Sequence, residues 1–484
     1  MKIYLIAAFT ILPAAVLVSC SDNVMDKIDR NPNQVNDAPL NTRLPQATMG
    51  FIKAVAGSSS NRLTSYYAEH HTNVLGMGGI YNTMSSYNTG GWSGAYAALN
   101  DMKLLKEKAA GEGAFGYAGI AEVLMAYTYA NLVDLYGDIP MSEALQAGVI
   151  RQPAFDKAEE VYPAIQEMLN NAVVNLDKGE TALVRPAADD LVFAGKMALW
   201  KKTAYALKIR LYNRMSNLDP AGSANSVLSD LDKAFSTEAD DFTFKRYAEN
   251  KNYENPYSGA QNSQPEFAMG NGIYSALSWF SPVADVEDDP RTQIWFSRID
   301  GKIKPAPNGL AGGDFGEPRL DGRFFSKPAV LKPLNAPQPL ATYTELKFIE
   351  AEARLRLGER EAAYQAYQEA VQLALKQSAI FNSARALDAD RINAYLAMKK
   401  VSPGAAGLNT RTILLQKYIY LFYDQPLEAY NDIRRELFID ITDPAGLANR
   451  VPYPDSEISR NPKVPANVTL TTLFDPSTKL FWAR

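Results

Sequence analysis

Tyr343 to Glu359 reads YTELKFIEAEARLRLGE, and the spacing of its apolar residues decides the fold class. Leu346, Ile349, Ala353 and Leu357 recur at steps of three and four, one apolar stripe along a helix. Gly358 breaks the pattern, and Ala363, Tyr367, Ala370 and Ala374 set a second stripe whose small residues allow a close helix crossing. The same periodicity returns elsewhere. Phe193, Met197, Trp200, Ala204, Leu207, Leu211 and Met215 step by four and three. Asp189 and Asp190 stand at the start of that run, where negative charge suits the helix dipole, and Asp219-Pro220 follows its end. Tyr117, Ile120, Leu124 and Tyr127 form a further stripe running toward Tyr136-Gly137. No alternation of strand type persists beyond a few residues. The expected fold is mostly α.

The helix pair across Gly358 spans about 34 residues and resembles a tetratricopeptide repeat. Trp92–Lys108 with Phe115–Leu135 reads as a looser copy, and Phe155–Leu176 with Asp189–Met215 as another. Tyr127 and Trp200 are expected in the core of this scaffold. Tyr136-Gly137-Asp138-Ile139-Pro140 reads as a helix stop, with glycine past the last turn and proline where a helix cannot continue.

Two stretches lack the stripes. From Glu238 to Leu340 glycine, proline and aromatic residues rise, with Tyr274, Trp279 and Trp295 among them; His70 to Gly91, with Tyr81 and Tyr87 and followed by Trp92, is similar. Long irregular segments rich in aromatics are usually functional rather than disordered. These two are expected to meet on one exposed face. Trp92, Tyr81, Tyr87, Trp279, Tyr274 and Trp295 are the candidate stacking residues, with Asn82, Asn88, Asp285 and Arg291 as polar contacts. The chemistry is that of a sugar ring: its apolar C–H face buries on an aromatic ring while its hydroxyls need donors and acceptors at the rim. Arg291 has a second reading, as the partner of an acid in an Asp289-Pro290-Arg291 turn. His70-His71 offers at most one ligand contact, because adjacent side chains splay, and no metal pair is expected there.

The N-terminus carries an address. Lys2 precedes an apolar run, Ile3–Val18, shorter than a membrane span of about 20 residues, and Leu17-Val18-Ser19-Cys20 closes it. That ending resembles a bacterial lipobox, in which residues 1–19 are a signal peptide and Cys20, the single cysteine of the chain, is acylated. Polar residues 20–41 read as a flexible tether, and residues 42–484 as one domain. Within it, 42–237 and 341–445 are helical scaffold and 238–340 a loop-rich insert. Asp22 resembles the acidic surface-export signal of some Bacteroidetes lipoproteins.

Composition narrows the function classes. Lys and Arg number 49 against 54 acids, a net charge of −5, which argues against a nucleic-acid partner. One cysteine and two histidines exclude an intramolecular disulfide and leave little for a metal site, and no cofactor motif is present. Acids such as Asp285, Glu287, Asp288 and Asp289 are plentiful, but no spacing singles out a catalytic pair.

At this point several motifs carry a resemblance. NLVDLYGDIPMSEAL (131–145), Asp289-Pro290-Arg291, the 343–359 run, RVPYPDSEISRNP (450–462) and the Phe481-Trp482 ending resemble, in order, the SusD/RagB-type nutrient-binding outer-membrane lipoproteins, and within them the second SusD-like branch. Met141 stands where that family usually has an aromatic, Phe481-Trp482 replaces a Trp pair, and 240–340 matches only at Asp-Pro-Arg. The resemblance implies a tetratricopeptide-like helical platform, lipid-anchored at the cell surface over a SusC-like TonB-dependent transporter. It also implies binding of oligosaccharides, or of peptides in some members, and no catalysis. A helical glycoside hydrolase and a scaffold for protein partners alone are the competing classes.

Overall fold

The computed structural model describes residues 38–484 except 74–78, 147, 250–253, 256–266, 309–324, 327–332, 379–386, 423 and 444, and omits the side chains of 58–61, 73, 79–90 and 267. Residues 40–484 form one compact unit. Its elements run α1 (Leu40–Ala56), α2 (Ser58–Tyr67), β1 (His71–Asn73), α3 (Gly79–Gly111), α4 (Phe115–Tyr136), α5 (Ala158–Gly179), α6 (Met197–Arg214), α7 (Pro220–Asp230), β2 (Phe242–Phe244) and β3 (Phe267–Met269). Then follow α8 (Asn271–Trp279), β4 (Gln338–Ala341), α9 (Tyr343–Arg356), α10 (Arg360–Gln377), α11 (Ala389–Leu396), α12 (Thr410–Tyr420) and α13 (Pro426–Arg435). The fold is mostly α, as the periodicity indicates, with a tetratricopeptide-like helical scaffold.

The decisive stretch folds as its spacing requires. Thr342 caps α9, its hydroxyl accepting the Glu345 N–H at 3.2 Å. Leu346, Ile349 and Ala353 are buried, Gly358 turns the chain at φ +79°, and Ala363, Tyr367, Ala370 and Ala374 bury the facing side of α10. The α3/α4 and α5/α6 pairs repeat the arrangement. Helix α4 departs from its one-stripe reading. It is buried on nearly every side, the condition of a central helix.

Two local expectations are corrected. Residues 79–91 continue α3 backward instead of forming an irregular segment. Their Gly, Ser, Asn and Thr each cost only tenths of a kcal/mol up to about 1 kcal/mol as helix residues, which a long, packed helix absorbs. Asp190 does not sit on the first turn of α6. The helix starts at Met197, and the Asp190 carboxylate ties the preceding turn by accepting from Val192, Phe193 and Gly195 N–H and from Trp200 Nε1 at 2.8–3.2 Å. Trp200 is fully buried, as expected of a core residue.

The scaffold is closed by buried charge. Arg210 on α6 grips Glu345 on α9 through Nε to Oε1 (2.8 Å) and Nη2 to Oε2 (2.5 Å). Arg214 pairs with Asp134 on α4 and Glu428 on α13. Arg435 on α13 reaches Glu352 on α9 at 2.6 Å, and Lys417 on α12 reaches Asp432 on α13 at 2.9 Å. Glu345 and Glu352 of the 343–359 run are thus ion-paired in the interior. Burial alone would raise the Asp432 carboxyl, but Lys417 and Arg435 hold it down to about 2.

The close crossing of α4 and α5 depends on Gly116 and Gly179, a contact the periodicity did not single out. A Cβ on Gly179 would stand 2.5 Å from the Gly116 Cα. Gly179→Ala, which would ordinarily favour a helix, is therefore expected to destabilise the fold by about 1–3 kcal/mol in urea unfolding. A neutral or stabilising result would mean the helices do not cross this closely.

Candidate functional site

Among the described residues the site grows from the meeting of β2, β4 and the ends of two helices. β2 pairs antiparallel with β4, Phe242 opposite Ala341 and Phe244 opposite Gln338. A cavity of about 300 Å³ opens beside this pair, at the lower end of the range for small-molecule sites. The segment around β2 contributes Glu238, Asp241, Thr243 and Lys245, and that around β4 contributes Pro337, Pro339 and Thr342. The end of α10 adds Ala374, Gln377 and Ser378; the end of α12 and the turn after it add Tyr420, Asp424 and Gln425; Trp295 completes the wall.

These groups are held in place. Tyr420 Oη and Thr342 Oγ1 are 2.8 Å apart, so the residue that caps α9 also anchors a cavity ring. Asp241 Oδ1 accepts the Tyr343 N–H at 2.7 Å, and Gln377 Nε2 donates to Glu238 Oε1 at 3.1 Å. Gln425 Oε1 accepts from Arg210 Nη2 at 2.9 Å, and the same nitrogen donates to the Leu340 carbonyl of β4 at 2.7 Å. Arg210 therefore ties the cavity to the scaffold. Burial pushes the Asp241 carboxyl up to about 7, Glu238 and Asp240 adding to the rise while the Tyr343 N–H and Lys245 oppose it. The cavity thus combines prolines and two aromatic rings with a rim rich in hydrogen-bond acceptors.

The predicted site residues divide. Trp295, only 5 % exposed, lines the cavity, and its ring stacks on Phe422 (5.4 Å), which stacks on His71 (4.8 Å). This sandwich connects the cavity to the root of the first aromatic segment. There β1 pairs with β3, His71 opposite Met269, and Gly270 N–H donates to the His70 carbonyl at 3.0 Å. The two aromatic segments therefore meet at their bases. Tyr274 and Trp279 lie on α8, each half-buried, with Lys400 Nζ 5.6 Å and the Arg411 guanidinium 5.8 Å from the Trp279 ring. Asp285 is exposed and organises its own turn, accepting the Glu287 N–H at 2.9 Å.

Others belong to the interior. Trp92 is 5 % exposed among Tyr96, Tyr136, Phe155 and Tyr453, with ring centroids 4.8–6.1 Å away, so its expected role as an exposed stacking surface is corrected to core packing. Arg291 is fully buried, with Nε 2.9 Å and Nη2 2.6 Å from the Asp289 carboxylate and Nη2 3.1 Å from Tyr395 Oη. Its second reading, the acid-paired turn, is the one realised. Tyr81, Asn82, Tyr87 and Asn88 lie on α3, and their side chains are outside the described residues, as is Cys20. Asp241, Tyr420, Asp424 and the two prolines were not anticipated. They are scattered over nearly two hundred residues, and no local pattern joins them.

A helical-repeat scaffold thus frames a cavity lined by aromatic rings and carboxylates. A family model described as starch-binding, associating with the outer membrane, matches residues 32–455, and the chain belongs to that family, the SusD-like proteins. It is similar to a SusD/RagB family protein from Bacteroides thetaiotaomicron, at 25% identity over 92% of this chain and 99% of the other, with a TM-score of 0.77. A SusD homolog from Bacteroides fragilis matches at 20% identity, 93% and 100% coverage and a TM-score of 0.72. A chitin-binding SusD homolog from Flavobacterium johnsoniae matches at 17% identity, 91% and 98% coverage and a TM-score of 0.70. No curated protein matches the chain. No described helix is long and apolar enough to cross a membrane.

The histidines at the segment root carry a pH signature. Both are fully buried, with His70 Nε2 3.1 Å from the Tyr418 carbonyl and His71 Nδ1 3.2 Å from Ser65 Oγ. Burial lowers the His71 imidazole from 6.5 to about 3, and His70 well below its ordinary value. Below pH 6.5 the unfolded chain takes up protons that the folded chain refuses, so stability falls as pH drops toward the folded value of about 3. His71→Gln is expected to flatten that loss by up to about 1.4 kcal/mol per pH unit in urea unfolding at several pH values. An unchanged slope would mean that His71 protonates freely in the folded protein.

Proposed function

We propose that the protein is a surface-exposed lipoprotein, anchored in the outer membrane through Cys20, that captures oligosaccharides for import through a SusC-like TonB-dependent transporter. The observation that carries this reading is the cavity: in a SusD-like chain, rings and prolines lie beside carboxylate and amide groups within about 300 Å³. A pyranose needs that pairing, an apolar surface for its C–H face and acceptors for its hydroxyls. The chitin-binding description of a similar structure agrees with a glycan ligand. Binding of this kind breaks and forms no covalent bond of the ligand.

An array of glycans and peptides tests the reading: glycans should bind, and Tyr420→Ala should weaken the best binder by about 1–3 kcal/mol in calorimetry, with circular dichroism checking that the variant is folded at the temperature used. Binding confined to peptides, or turnover of a glycan, would contradict it. For the anchor, Cys20→Ala should leave the protein unprocessed or release it from the outer-membrane fraction. Normal processing and retention of that variant would contradict lipidation.

A further inference from the structure

We propose that the cavity beside β2 and β4 selects saccharides bearing a protonated primary amine over neutral and anionic ones. This rests on the reading of the cavity as a glycan site and concerns which glycan it takes. The polar groups around the cavity are lopsided. Glu238, Asp241 and Asp424 present carboxylates, while Lys245 is the single cationic side chain among the described lining residues. Gln377 already donates to Glu238, and the Gln425 carbonyl is occupied by Arg210. The Asp241 carboxylate receives the Tyr343 N–H on Oδ1, and neither Asp241 nor Glu238 has an ion-pair partner among the described residues. Asp241 is partly buried, and its cationic neighbour Lys245 makes no ion pair with it, so a ligand ammonium supplies a contact the carboxylate lacks. Trp295 and Tyr420 stand on the same walls, and aromatic faces attract cations as well as sugar C–H groups. An anionic sugar would meet the carboxylates of Glu238 and Asp241.

The protonation of the site gives the inference its own signature. The Asp241 carboxyl, pushed up to about 7 by burial, faces Glu238, Asp240, Lys245 and the Tyr343 N–H. Tyr420 and Asp424 line the same cavity. A bound ammonium favours the ionised carboxylate, so binding at a mildly acidic pH, where the amine is already fully protonated and Asp241 is not yet ionised, expels a proton.

Calorimetry on the full chain near pH 5.5, where the saccharide amines are fully protonated, in two buffers of different ionisation enthalpy, tests this with tetramers of glucosamine, N-acetylglucosamine and galacturonate. The glucosamine tetramer should bind about tenfold more tightly than its acetylated counterpart. It should release protons, and the galacturonate tetramer should not bind. Asp241→Asn should abolish the release and bring the first two within about twofold. Proton release is read on the unaltered protein, so the test does not depend on how the variant folds. Equal or tighter binding of the acetylated tetramer without proton release overturns the preference and leaves glycan capture standing. Silence toward all three, and toward every glycan of the array, fails the underlying reading as well.

Discussion

One guanidinium holds the molecule's two parts in register. Arg210, on α6, makes a two-point bond to Glu345 on α9, donates to the Leu340 carbonyl of β4 and to the Gln425 amide, and lies 3.6 Å from Glu428 on α13. Glu428 passes the connection to Arg214, Arg214 to Asp134, and Asp134 to Tyr162 and Asn431. Arg214 and Arg434 also lie over the Trp482 ring, at 5.4 and 5.0 Å. Helices α4, α5, α6, α9 and α13 and the end of the chain therefore share one set of buried charges. Desolvating such ions is expensive, and removing one partner leaves the other uncompensated at a cost of about 3–5 kcal/mol.

That arrangement explains why the cavity is rigid where it needs to be. Its floor residue Gln425 and its β4 strand are bonded directly to Arg210, and Tyr420 is held by the hydroxyl that caps α9. A binding site supported by packed helices loses little order when a ligand arrives, which favours affinity without a large contact area. The acids of the cavity differ from those of the core network. Glu345 and Glu352 of that network have arginine partners, whereas Asp241 accepts from a backbone N–H, and burial pushes its carboxyl up.

The helices were legible because each stripe is local: Leu346, Ile349 and Ala353 announce α9 within two turns, and all three are buried. The family was legible because its motifs are structural. Asp134, Tyr136, Arg450, Tyr453 and Trp482 are buried, and Arg450 Nη1 donates to the Tyr136 carbonyl at 3.2 Å while Tyr453 Oη donates to that of Asp138 at 2.7 Å. The same fact misled the site reading. Trp92 and Arg291 looked available because aromatic and cationic residues in loops often are, yet a ring cluster and an Asp289 partner absorb them. Among the predicted residues whose side chains are described, Trp295 alone lines the cavity, and its neighbours there come from the segments around β2 and β4 and the ends of α10 and α12. Only the tertiary fold could assemble them.

Hydrogen exchange with and without a saturating oligosaccharide tests the central claim, that the insert and the helix ends form one glycan site, most directly. New protection is expected in three separate stretches at once, residues 238–245, 337–342 and 420–425, with α4 and α5 unchanged. Protection confined to α8 around Trp279, or spread over the scaffold while those three stretches exchange as before, would contradict it.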